Sequence, residues 1–206
     1  MQRVITYVDG FNLYFGLKTS GFKKYYWLDL PALSAALLKP DQQLIATHYF
    51  TARIRTNGRN ATDAKRQTTY IDALAAQHNL TVHEGHYLEK TQRCNGCSAT
   101  WIAYEEKMTD VNIAAQMLAD AYEDRFDTAF IISGDSDLTT PIQQVRTRFP
   151  NKRLIVVFPP NRQSAQLKRT ANGTLVIGED KLRQNQLPDP VITASGFALH
   201  RPAHWR

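Results

Sequence analysis

Four aspartates in this 206-residue chain stand where side chains can do chemistry. Asp9 closes a short β-branched run, RVITYVD, from Arg3. Asp135 and Asp137 follow the apolar run TAFIIS (128–133) in Ser133-Gly134-Asp135-Ser136-Asp137. Asp110 opens a helical pattern after Thr109, where an acid suits the positive end of the helix dipole. In an open parallel sheet the reactive crevice lies beyond the carboxyl ends of the strands, so these residues can converge there, with Asn12 as a neutral polar neighbour. Two carboxylates about 4 Å apart repel by roughly 4 kcal/mol at an effective dielectric of 20. Four together require protonation or a cation, and oxygen donors without a close histidine favour Mg²⁺ or Mn²⁺ over zinc. Taken singly, Asp110 reads as a helix start and Asp9-Gly10 as a turn. Paired acids after a strand bring repulsion with no structural return.

The elements that must position these residues alternate. Strand-like runs, buried by composition, are expected at 3–9, 43–54, 80–88, 128–133, 152–158 and 174–177. Helical patterns are expected at 12–18, 30–38, 61–78, 109–124 with Thr109 as cap, 139–149 and 163–170. Apolar, non-alternating strands separated by helices imply an α/β fold: a mostly parallel sheet with helices on both faces and right-handed crossovers. From Pro188 the chain reads as irregular, so one domain over 1–180 and a tail over 181–206 are expected.

Three short blocks carry a resemblance. Val8-Asp9-Gly10-Phe11-Asn12-Leu13, Glu106-Lys107-Met108-Thr109-Asp110-Val111 and Ser133-Gly134-Asp135-Ser136-Asp137-Leu138 resemble the signature blocks of NYN domains, members of the PIN-like nuclease superfamily. The resemblance spans about residues 3 to 178. It implies a doubly wound PIN-like sheet and a Mg²⁺- or Mn²⁺-dependent ribonuclease. Catalytic and metal roles would fall on Asp9, Asp110, Asp135 and Asp137, with Asn12 as a polar residue of the active site. A cation held there would grip a scissile phosphate and acidify a bound water, while Asp110 completes the shell or orients that water. Ser133, Ser136 and Thr139 are candidates to support the ligand carboxylates.

Charge is unevenly spread. The chain carries 25 basic and 19 acidic residues, yet residues 146–206 hold 11 basic against 3 acidic. Glu105 to Asp137 holds nine acids against Lys107 and Arg125. An acidic centre flanked by basic surface suits a polyanion such as RNA, and a solvated charged surface is the plainer alternative. Arg53, Arg55, Lys107, Arg162, Lys168 and Arg169 are the expected strand track. Tyr14 is a candidate to stack a base; Phe15 reads rather as core.

Cys94-Asn95-Gly96-Cys97, within an insert at 88–100, forms a knuckle-like spacing for Zn²⁺. It lacks two ligands unless His83 and His86 both reach it, and a plain reduced pair or a redox pair remain open readings. Composition excludes wholesale disorder, and no run approaches the ~18 apolar residues of a membrane helix. Without signal-peptide features the expectation is a cytoplasmic protein with no membrane partner, and pairing of chains stays open. Two rivals to the nuclease remain. One is a silent RNA-binding or scaffold module. The other is an aspartyl-phosphate phosphatase, since Asp135-Ser136-Asp137-Leu138-Thr139 also fits Asp-x-Asp-x-Thr.

Overall fold

The computed structural model describes residues 1–54, 56 and 60–205, and for 102–106 the backbone course alone. Six strands form one all-parallel sheet: β1 (Gln2–Asp9), β2 (Gln42–Thr51), β3 (Leu80–Glu84), β6 (Thr128–Ile132), β7 (Arg153–Phe158) and β8 (Gly173–Val176). Their spatial order is β3-β2-β1-β6-β7-β8. The chain builds outward from β1 through β2 to β3, then returns beside β1 and builds the other way. The strand order therefore reverses between β1 and β6, the switch point at which such sheets open a crevice.

Strand alternation explains two cores. In β1, Val4 and Val8 join one buried cluster while Ile5 and Tyr7 join the other, as the two-residue period of a strand requires. The first cluster is covered by α1 (Gly10–Thr19), α2 (Leu30–Ala35), α3 (Ala61–Ala75) and α7 (Glu179–Gln184), through Leu13, Leu33, Leu74 and Leu182. The second is covered by α4 (Thr109–Tyr122), α5 (Thr139–Arg148) and α6 (Ala165–Thr170), through Met117, Ile142 and Leu167. Helices on both faces of a parallel sheet match the expected class.

Three local expectations are corrected. The strand expected at 80–88 is two strands: β3 ends at Glu84, and β4 (His86–Arg93) pairs antiparallel with β5 (Thr100–Lys107) as a separate hairpin. Gly85 lies between them, its N–H making the last bond to β2, at the Thr51 carbonyl, 2.7 Å. Thr109 does not cap α4; it is the first helical residue, and Met108 before it takes a left-handed φ of 82°. Nor is 181–206 an irregular tail. It supplies α7 and a small hairpin of β9 (Val191–Ile192) and β10 (Ala198–Leu199), and Leu182, Leu187, Val191, Leu199 and Trp205 are buried in the first core. Trp27 anchors it, donating from Nε1 to the Pro188 carbonyl at 2.9 Å and accepting the Leu187 N–H at 2.9 Å.

Candidate functional site

The β1–β6 pairing runs as far as Val8 beside Ile132, so the next residues, Asp9 and Ser133, stand abreast at the crevice. Ser133 Oγ donates to Asp9 Oδ2 at 2.8 Å. Asp9 Oδ1 accepts the Asn12 N–H at 2.9 Å, which makes Asp9 the N-cap of α1. The carboxylate is only 3% exposed. Burial pushes its pKa up and the nearby charge of Asp135 adds to that, while the hydrogen bonds from Asn12 and Ser133 pull it down.

The loop after β6 is held onto this carboxylate. Asn12 Oδ1 accepts the Gly134 N–H at 3.1 Å, and Ser133 Oγ accepts the Asp135 N–H at 3.0 Å. Gly134 is needed there because a Cβ would lie 2.8 Å from the Arg162 carbonyl oxygen. Asp135 Oδ1 accepts the Asp137 N–H at 3.0 Å and starts the 3-10 turn Ser136–Leu138. One hydroxyl thus couples Asp9 to the Asp135 loop.

The four expected carboxylates do not form one cluster. Asp9 and Asp135 are brought together. Asp137 is exposed at the start of the turn, and Asp110 is half-buried in the first turn of α4, which packs on β1, β2 and that turn. Among the described residues no three His, Cys, Asp or Glu side chains lie within reach of one metal ion. The donor set nevertheless fits a hard cation. Asp9 and Asp135 are oxygen donors with no basic side chain paired to either among the described residues, and Mg²⁺ commonly rests on one or two carboxylates plus waters and substrate phosphates.

The expected basic track is only partly there. Arg53 is engaged elsewhere, tying Asp72 of α3 at 3.0 Å to Glu84 of β3 at 2.8 Å. Arg55 lies outside the described residues. Arg162 stands beside the site, against Gly134 and with its guanidinium 5.7 Å from the Phe15 ring centre. Lys107 ends β5 just before α4. Lys168 donates to Gln163 Oε1 at 2.6 Å, and Arg169 is exposed in the last turn of α6. Phe15 is 41% exposed rather than core, next to Tyr14 at 42%.

Cys94 and Cys97 sit at the tip of the β4–β5 hairpin, both as free thiols. Backbone N–H groups of Cys97 and Gly96 pull the Cys94 thiol down. His86 pairs with Lys107 at the hairpin's base, seven residues away from Arg93, a run of roughly 23 Å at strand rise. His83 is bonded to His48 inside the main sheet, its Nε2 at 3.0 Å from His48 Nδ1. Neither histidine completes a zinc site with the cysteines.

One feature carried no local signal. An aromatic-lined cavity of about 740 Å³ opens between α1 and α3, with Tyr49, Tyr70 and Trp205 in its wall. These residues are far apart in sequence, and Trp205 belongs to the segment that reads as tail.

The chain is thus a doubly wound α/β domain with a buried carboxylate tied to an acidic loop at its switch point. Residues 3–178 match the NYN domain model, and the chain belongs to the NYN domain family, a group of PIN-like nucleases. The chain is 28% identical over 207 aligned residues to 6-hydroxy-3-succinoylpyridine 3-monooxygenase HspA of Pseudomonas putida (strain DSM 28022 / S16), covering 84% of this chain and 64% of that enzyme. It thus spans less than two thirds of that relative. A crystal structure of a protein of unknown function from Vibrio parahaemolyticus RIMD 2210633 superposes with a TM-score of 0.55 at 17% identity, covering 90% of this chain and 96% of that one. That likeness shows the fold. No helix among the described residues is long and apolar enough to cross a membrane.

Proposed function

We propose that this chain is a Mg²⁺- or Mn²⁺-dependent ribonuclease acting at the Asp9–Asp135 crevice of a single domain that carries the β4–β5 hairpin as an insert. The observation that carries the reading is Asp9: buried, unpaired with any basic side chain among the described residues, and bridged by Ser133 to the Asp135 loop at the switch point of a NYN fold. A bound divalent ion would supply charge neutralisation of the phosphate and an acidified water. Asp9 and Asp135 would hold it, and Ser133 and Asn12 keep the Asp9 carboxylate aimed. Asp110, in the first turn of α4, and Asp137, in the 3-10 turn after Asp135, would orient the attacking water or the phosphate's surroundings. Arg162, with Lys107, Lys168 and Arg169 further out, neutralises the strand, and the exposed rings of Tyr14 and Phe15 give bases a surface to stack on.

Labelled single-stranded RNA incubated with Mn²⁺ tests this. Cleavage is expected, with Asp9→Asn and Asp135→Asn each reducing the rate by about 10²-fold or more, the scale of losing a positioned electrostatic group. Binding without cleavage by all three proteins would replace the reading with a silent RNA-binding module. Phosphate release from a monoester, with RNA intact, would replace it with a phosphatase.

A further inference from the structure

The cavity lies beside the Asp9–Asp135 crevice and shares with the proposed RNA path only the rings of Tyr14 and Phe15. It holds about 740 Å³, within the size range of small-molecule sites. Its wall includes Phe11, Tyr14, Tyr26, Tyr49, Tyr70 and Trp205. Tyr49 stands between the cavity and the crevice: the charge of Asp9 acts on its phenol, and the phenol oxygen would lie 2.9 Å from a Cβ at Gly10.

The Tyr70 phenol is engaged, donating to the Leu28 carbonyl at 2.8 Å. The rings themselves offer a ligand a surface that selects planar aromatic groups, with centroids about 4.5–7 Å apart. The protein's own rings already use that geometry here, Trp205 meeting Tyr26 at 5.6 Å and Tyr70 at 6.0 Å.

Charge at the cavity favours an anion. Asp63, the one acid among its described lining residues, is paired with Arg66, which also lines it. Lys18 and Lys23 have no carboxylate partner among the described residues: Lys18 lies 5.7 Å from the Tyr14 ring centre, and Lys23 approaches His204. Two uncompensated ammonium groups over an aromatic wall complement a ring that bears a negative group.

We propose that this cavity binds a small aromatic acid, a molecule in which one planar aromatic ring is joined to a carboxylate or a phosphate. Two sources share that chemistry: a free aromatic carboxylate, and a mononucleotide such as a product of strand cleavage. The site does not depend on the reaction at Asp9.

Calorimetric titration of the full chain with nicotinate and, separately, with uridine 5′-monophosphate tests it, with quenching of Trp205 fluorescence as a second readout. Saturable binding is expected for at least one. Nicotinate alone would assign the site to aromatic carboxylates, and the nucleotide alone to cleavage products. Lys18→Glu/Lys23→Glu, a surface change that leaves the core intact, should weaken binding at least tenfold. Nicotinamide, lacking the charge, and ribose 5-phosphate, lacking the ring, should each bind at least tenfold more weakly. Asp135→Asn should abolish RNA cleavage yet leave this affinity unchanged, so the two readings fail separately. No saturable binding of either acid, or affinity unmoved by the lysine changes, would overturn the proposal.

Discussion

A carboxylate as enclosed as that of Asp9 survives because the Asn12 N–H and the Ser133 hydroxyl both donate to it, and Ser133 Oγ, by accepting the Asp135 N–H, also fixes where Asp135 stands. A second buried acid, Asp120, is settled differently. It accepts from Tyr7 Oη at 2.8 Å and Gln116 Nε2 at 2.9 Å, and Arg125 stands at 3.6 Å. His48 Nε2 lies 3.6 Å from it on the far side, with His83 and the stacked Tyr7 ring around the imidazole. Burial, helped by His83 and Arg125 and opposed by Asp120, lowers the His48 pKa from 6.5 to about 4. The unfolded chain therefore binds a proton first, and His48's contribution is fully present above pH 6.5 and lost as pH falls towards 4. That shift is worth at most about 3 kcal/mol. Denaturant midpoints at pH 7, 5.5 and 4.5 should fall more steeply in the wild type than in His48→Gln. Parallel slopes would remove His48 from the account. Asp9, with its raised pKa, acts in the opposite sense as pH falls and is common to both proteins.

At the scale of elements, the strand ends were legible because an acid terminates a β-branched run, so Asp9 and the Asp135 loop could be placed before any coordinates. Whether Asp110 and Asp137 join them depends on how α4 and the 3-10 turn pack, which residue types do not encode. The hairpin escaped for a different reason: 80–88 alternates continuously across Gly85, and only the change of partner, from Thr51 of β2 at Glu84 to Lys107 of β5 at His86, shows that the main sheet stops there. Gly10 is where one element's geometry bears on both sites. A Cβ at that position would lie 2.6 Å from the Phe50 carbonyl oxygen and 2.8 Å from Tyr49 Cε2, and backbone cannot yield cheaply. Gly10→Ala should cost about 1–3 kcal/mol by overpacking. It should also slow RNA cleavage about tenfold or more, because the first turn of α1 carries the Asp9 cap and small misplacements at reacting groups are expensive. Gly178→Ala is the control: φ is −80° and nothing lies within 4 Å of its Cβ, so the unfolding free energy should change by no more than about 0.5 kcal/mol. Equal effects at the two glycines would refute the packing argument.

At the scale of the whole molecule, the last 26 residues join the parts together. Their Pro and Gly content and low apolar periodicity hid this, since single anchors such as Leu187, Val191 and Trp205 leave no period to detect. Trp205 is 8% exposed and lies 6.4 Å from Trp27 and 6.0 Å from Tyr70, so it closes the first core and walls the aromatic cavity together. Replacing a buried Trp by Ala ordinarily costs about 3–5 kcal/mol. Trp205→Ala should therefore lower the unfolding free energy by that amount, with a lower midpoint, and weaken aromatic-acid binding. The β6 loop with Asp135 belongs to the opposite side of the sheet's switch point and does not touch Trp205 in any described hydrogen bond or ring contact. RNA cleavage per folded molecule should accordingly fall less than threefold in Trp205→Ala at temperatures well below its midpoint. Circular dichroism melts beside the RNA assay measure both quantities on one preparation. A variant that kept the wild-type midpoint would return residues 181–206 to the status of a surface wrap. One that lost cleavage in proportion to ligand binding would merge the cavity and the acidic crevice into a single site.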